Sequence, residues 1–375
     1  MRVFINAILV HTFLNLYVFW WGWKIIPSKW AYRVPYAALF IIELVIYLSG
    51  FVYIDEMPVK WLYPIMILGT SWMVFILYMT LLLAGYDVVR IAGRWIKSIP
   101  RRLNPQSLKK RRVYCFTSVI IVCLAMLYGH YRFWHPVVNE VDVKVNKESP
   151  VKHLKIVMVS DIHVGYMINR NVLKMYIDRI MEQKPDLILI AGDIIDYNLD
   201  PVVGERMEEE FRRLKAPYGV YAITGNHEYR LNAEEKIRWL SEKAGLTVLR
   251  DSVVKVDDAF YIVGREDFKD VKRKPLRQLM DKVDDKRLPV IVMNHQPNNL
   301  AEEAESGADL AVYGHTHNGQ LFPYNILINL IYEVAHGYKK KDNTHVYVSS
   351  GLGLSGPQYR IGTISEIVVI NLETR

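Results

Sequence analysis

Cysteine is nearly missing from this chain of 375 residues: there are two, Cys115 and Cys123, both in one apolar run. Eight residues along a helix span about 12 Å, well beyond disulfide reach, so the pair reads as packing residues. The stretch beyond Cys123 has none, which suits an oxidising compartment as well as a reducing one. Fixed-period repeats and low-complexity tracts are missing too. Acidic side chains are scarce in the first 134 residues, 4 against 15 Lys and Arg, which leaves 35 against 32 for the rest. The sequence pI of about 9.1 therefore belongs to the first part, and the remainder is mildly acidic. A nucleic-acid binder concentrates positive charge on its folded domain, so nucleic acid is not an expected partner.

What is abundant is apolar surface. Hydrophobic residues make up 51% of the chain and the mean hydropathy is +0.07, high for a chain that meets only water. Four stretches approach the roughly 20 apolar residues that cross a hydrocarbon core: Val3 to Trp23, Tyr36 to Tyr53, Leu62 to Tyr86 and Val113 to Phe133. The first has only Arg2 as a basic flank and no small-residue cleavage site, and Trp20, Trp21 and Trp23 suit interfacial anchors, so it reads as a retained span rather than a signal peptide. Between spans three and four lie Arg90, Arg94, Lys97, Arg101, Arg102, Lys109, Lys110, Arg111 and Arg112, opposed by Asp87. Lysine and arginine stay on the cytoplasmic side, which places that loop and the one holding Lys24, Lys29 and Arg33 inside, and the Asp55, Glu56, Lys60 loop outside. The fourth span then delivers everything after it to the extracytoplasmic face. The basic loop also has a reading as a dock for anionic lipid. Glu43, costly against lipid, is expected to face the bundle, capped by Asn6, His11 or Asn15.

Residues 1–134 thus form a four-helix transmembrane region, 135–152 a linker or a leading strand, and 153–375 a separate domain. There, short Val, Ile and Leu runs end repeatedly in polar, metal-capable residues: 155–163, 186–193, 219–228, 289–297 and 308–317. They read as buried strands, and helical periodicity in 171–183, 203–214 and 234–244 makes the first part an α/β sheet with its site at the strand C-terminal ends. The later runs 259–264, 345–350 and 366–372 lack helical spacers and predict antiparallel strands.

Each polar strand end is modest alone. Together, Asp161 and His163, Asp193, Asn226 and His227, His295, and His315 with His317 present hard oxygen and borderline nitrogen donors at one sheet edge, a mixture suited to manganese, iron, zinc or magnesium. The blocks D-x-H, G-D, G-N-H-E, an apolar strand ending in His, and G-H-T-H, in that order, resemble the calcineurin-like metallophosphoesterase superfamily over about 153–372. The GHTHNGQ, SSGLGLSGP and SEIVVI segments are similar to a bacterial membrane-anchored branch, with Asn318 for a glycine and Ser365 for a proline. The resemblance implies a four-layer α/β/β/α sandwich and two divalent metal ions, manganese foremost: Asp161, His163 and His317 on one, Asn226, His295 and His315 on the other, and Asp193 bridging. It also implies His227 as the group that stabilises or protonates the leaving oxygen, with Asp196 orienting it. Two cations roughly 3.5 to 4 Å apart clamp a phosphate and lower the pKa of a water between them, which is why phosphoryl transfer needs this set.

Arg360 fits a phosphate contact or a brace of the C-terminal strands. Leu321 to Tyr332, rich in Phe, Tyr, Ile and Leu, fits a lid dipping into a bilayer or a buried core excursion. The expected function is phosphate or pyrophosphate ester hydrolysis on a phosphorylated, lipid-linked envelope precursor, with membrane lipids as neighbours. The alternatives are a phosphodiesterase on a nucleotide or other soluble substrate, and a membrane sensor with a ligand-binding phosphoesterase domain.

Overall fold

The computed structural model describes residues 2–54, 56–95 and 107–375. Contacts divide the chain into two compact units, Met1–His130 with Gly356–Gln358, and Tyr131–Ser355 with Tyr359–Arg375.

The first unit is helical: α1 (Arg2–Trp23), α2 (Trp30–Val52), α3 (Val59–Trp95) and most of α4 (Leu108–Trp134). Among the described residues, Trp30–Gly50, Val59–Gly93 and Leu108–Trp134 are long and apolar enough to cross a membrane. Asp55, Lys97, Arg101 and Arg102 lie outside the described residues. Glu43 is buried inside the bundle, as a charge that cannot face lipid must be. Asn15 Nδ2 donates to its Oε2 at 2.6 Å, His11 Nε2 lies 3.2 Å away, and Trp72 Nε1 donates to Asn15 Oδ1. His11 stacks on Tyr47 at 3.7 Å between centroids.

The second unit holds two six-stranded mixed sheets. One contains β1 (Val137–Lys144), β2 (His153–Val159), β3 (Leu187–Ala191), β4 (Val220–Ile223), β5 (Thr247–Leu249) and β12 (Glu366–Glu373), in the order β1-β12-β2-β3-β4-β5. The other contains β6 (Ser252–Val256), β7 (Phe260–Gly264), β8 (Val290–Met293), β9 (Leu310–Tyr313), β10 (Gly337–Lys341) and β11 (Thr344–Val348), in the order β10-β11-β9-β8-β7-β6. Side chains alternate across a strand, and the alternation sorts them between two cores. Ile156, Met158, Leu187 and Leu189 meet Ile291, Met293, Leu310 and Val312 between the sheets. Val157, Val159, Ile188 and Ile190 instead face the outer helices, and Val290, Val292, Ala311 and Tyr313 face the opposite side. With period-2 pairing, Ile156 opposite Leu187 and Met158 opposite Leu189, a one-residue slip would exchange the two cores.

Helix α5 (Arg170–Glu182) covers the first sheet with Val172, Leu173, Tyr176, Ile177 and Ile180, one face of a 3.6-residue period. It starts at Asn169, whose side chain accepts from Val172 N at 3.1 Å. On the far side the short helix Leu276–Met280 packs Leu276 and Leu279 on the second sheet. The four layers are therefore helix, sheet, sheet, helix.

Two local readings change. The segment expected as one helix over 203–214 is two short pieces, Asp200–Gly204 and Glu208–Phe211, because the chain turns left-handed at Arg206. β12 is antiparallel to β2, β7 to β6 and β11 to β10, as the missing spacers imply, but each has a parallel neighbour on its other side: β1, β8 and β9 respectively. The crossovers from β7 to β8 and from β9 to β11 use irregular chain and short helices, which hydropathy does not distinguish from hairpin loops. Residues 137–144 form β1, paired with β12.

Candidate metal centre

Strands β2, β3 and β4 are mutually parallel, as are β7, β8 and β9, so each sheet gathers its strand C-terminal ends at one edge. Asp161, Asp193, His295 and His315 each stand two residues past their strand, and Asn226 three. To turn side chains into the cleft so soon, the backbone leaves the extended region abruptly. Asp161, His163, Asp193, His315 and His317 all have left-handed φ, between 48° and 73°. Such a conformation costs about 1 kcal/mol or more per non-glycine residue, and Asp, Asn and His tolerate it best.

Three groups of possible ligand atoms result: Asp161, His163 and His317; Asp193, His295 and His315; and His163, Asp193 and His227. In the first, His163 Nε2 and His317 Nε2 lie 3.1 Å apart, and Asp161 Oδ1 is 3.9 and 3.5 Å from them. Asp193 Oδ2 faces three imidazoles: His295 Nε2 at 3.2 Å, His163 Nε2 at 3.8 Å and His227 Nε2 at 3.9 Å. The other oxygen, Oδ1, accepts from His227 N at 2.8 Å. Asn226 Oδ1, His295 Nε2 and His317 Nδ1 are buried without a well-directed hydrogen bond. Buried polar atoms are rarely left so, and the mixed oxygen and nitrogen donors of these groups fit divalent cations.

Electrostatics agree. Burial pushes the Asp161 carboxyl up, against the pull of His295, and pushes His315 down to about 3 and His317 well down. Both imidazoles are then neutral, as a metal ligand must be. Asp193 is held well below the usual carboxylate range: burial opposes this, but His295, His227 and His163 outweigh it. Against its own burial, His295 is pushed up to about 10 by Asp193.

A surrounding shell fixes the donors. His295 Nδ1 donates to Ala191 O at 2.7 Å, which turns Nε2 toward Asp193. Ser160 Oγ donates to Asp161 at 2.5 Å, and His315 N to both Asp161 oxygens. Asp196 Oδ1 holds His227 Nδ1 at 2.7 Å and also His163 Nδ1 at 3.2 Å, with Ser355 Oγ as a third donor. Glu228, fully buried, accepts from the backbone N–H of Asp193, Ile194, Ile195 and Gly225 and so ties two ligand loops together. Burial and Asp193 push its carboxyl up to about 7, against those donors. In the sequence Glu228 closes the G-N-H-E block, a position that by itself assigns it no role. A Cβ on Gly225 would sit 2.2 Å from Asp193 Oδ1, and one on Gly314 would sit 2.4 Å from Asp161 Oδ2, so both close approaches require glycine.

Arg360 is 0% exposed and donates to the carbonyls of His317, Gly351 and Gly353. These carbonyls lie in the loops that follow β9 and β11. The segment 321–332 is not a core excursion: it contains a helix, Tyr324–Ile331, of which only Ile328 is buried.

The profile of the calcineurin-like phosphoesterase family matches residues 154–319. A metallophosphoesterase of Aquifex aeolicus is 30% identical over 264 residues, 68% of this chain and 98% of that protein. The chain belongs to the calcineurin-like phosphoesterase family. A Helicobacter pylori metallophosphoesterase is 32% identical over 60% of this chain, which spans 63% of that relative's length. A zebrafish relative, 30% identical over 68% of this chain and 62% of its own length, is described as a transmembrane protein with a metallophosphoesterase domain. The chain thus combines a calcineurin-like phosphoesterase domain and candidate metal-binding clusters with apolar helices long enough to cross a membrane.

Proposed function

We propose that the chain hydrolyses phosphoric esters with two divalent metal ions, manganese foremost, on a phosphorylated lipid or lipid-linked envelope precursor. The convergence on Asp193 Oδ2 carries this reading, since one carboxylate oxygen facing imidazoles from three different loops suits a bridge between two cations. On the first we place Asp161, His163 and His317, on the second Asn226, His295 and His315. When bound, the pair supplies charge neutralisation on the phosphate and a water acidified for attack.

The remaining work falls to the chain. His227, held at Nδ1 by Asp196, keeps Nε2 on the cleft side, where it can hand a proton to the leaving oxygen. Lys236 Nζ donates to His227 O at 2.9 Å and fixes the loop that carries it. Membrane-spanning helices favour substrates held in or near the same bilayer, and the lysine and arginine bias of the loops supports four spans with the hydrolase outside.

The test is turnover of an aryl phosphate by the purified full-length protein supplied with Mn²⁺. Asp193→Asn removes the bridging charge and should abolish turnover while the protein still folds; full activity in that variant, or after exhaustive chelation, would sink the two-metal reading.

A further inference from the structure

Between His317 and Glu333 the chain carries no charged residue. That stretch follows β9 and begins at the metal centre. Its helix Tyr324–Ile331 turns the wrong way for a water-soluble surface: Tyr324, Ile326, Leu327, Leu330 and Ile331 are exposed, with Leu330 at 79% and Ile331 at 61%. Phe322, just before it, is exposed as well. The segment is docked to the centre, because the Tyr332 ring meets the His315 ring edge-on at 6.3 Å and Asn329 Nδ2 donates to Asn318 Oδ1.

The loop after β7 leaves the same sheet edge, since β7, β8 and β9 are parallel. There Phe268 is exposed and Val271 is 98% exposed, amid Lys269, Lys272, Arg273 and Lys274. This loop too is tied to the centre: Arg273 stacks over the Phe268 ring at 3.6 Å and donates to Asn294, next to His295, while Asp267 accepts from Gln296.

We infer that this rim of the metal centre, Phe322–Ile331 together with the basic 268–274 loop, seats on a bilayer surface rich in anionic lipid. Contiguous exposed apolar side chains of this size mark a contact surface, and basic residues beside them suit lipid phosphates. A bilayer is already the surroundings of a chain with long apolar helices, whereas a soluble partner would leave the basic loop without a stated match. The inference deepens the hydrolase reading by naming the surface from which a substrate is taken, and it rests on that reading for its meaning alone.

The test uses the full chain in proteoliposomes containing anionic lipid, with Cys115 and Cys123 replaced by alanine. An environment-sensitive fluorophore is placed at Leu330→Cys or, on the opposite sheet edge near the start of β3, at Glu182→Cys. The expected result is blue-shifted emission at position 330, quenching by nitroxide-labelled lipid, and iodide quenching about threefold weaker than at 182, as for a side chain among acyl chains. Equal iodide access at both positions with no lipid quenching overturns the inference. So does shielding from both quenchers accompanied by cross-linking between copies, which would assign the face to a second molecule of this chain. Aryl phosphate turnover on the same proteoliposomes reports the hydrolase reading separately, so the two can fail independently.

Discussion

At the scale of the residue, chemistry and backbone geometry select the same side chains. The five left-handed positions in the candidate metal centre hold Asp or His, residue types that can ligate such metals and that also tolerate this conformation. A library at Asp161 or His315 screened for thermal stability alone, without metal, should therefore return Asp, Asn, His and Gly and reject Val, Ile and Thr. Equal recovery of β-branched residues would refute the backbone contribution. His227→Ala should keep its metal, measured by elemental analysis, yet turn over aryl phosphate about 10² to 10⁴ times more slowly, the usual deficit of a missing general acid. Asp196 now separates from His227. Because its Oδ1 holds His163 as well, Asp196→Asn should lower metal content along with rate, a pairing that a role confined to His227 would not produce.

At the scale of the element, the strands were legible because each is a short apolar run broken by a polar turn, and all five runs that end in metal-capable residues contain a strand in the structure. The order of the blocks also made the clustered residues legible. The antiparallel pairings of β7 and β11 were legible too, but their parallel pairings with β8 and β9 were not, since those depend on where a crossover passes and not on the residues paired. Glu228 was hidden for a related reason: its partners are backbone N–H groups, which leave no trace in side-chain identity. Glu228→Gln replaces an anion by an amide that has only one acceptor oxygen for four donors. It should cost about 2–4 kcal/mol, read as a lower unfolding temperature of the hydrolase unit in detergent. Asn169→Ala should cost about 1 kcal/mol through the lost α5 cap and leave turnover unchanged. An activity loss there would mean that α5 does more than cover the sheet.

At the scale of the molecule, the reading that places the basic loops in the cytoplasm has a plain test. If the basic loops are cytoplasmic, a cysteine at Lys109 in a cysteine-free background should resist an impermeant thiol reagent until cells are opened, while protease added outside digests the domain after residue 150. Protection of the domain with ready labelling at 109 would reverse the orientation. The sheet order has a further consequence, for biosynthesis. β12 lies between β1 and β2, yet it is made about two hundred residues after them, so its pairing closes a very long loop. Until it arrives, two neighbouring strands wait with bare edges that other chains can pair with. The yield of active protein in an expression host should therefore be governed by chaperone supply and by how long the nascent chain stays unprotected, more than by the stability of the finished fold.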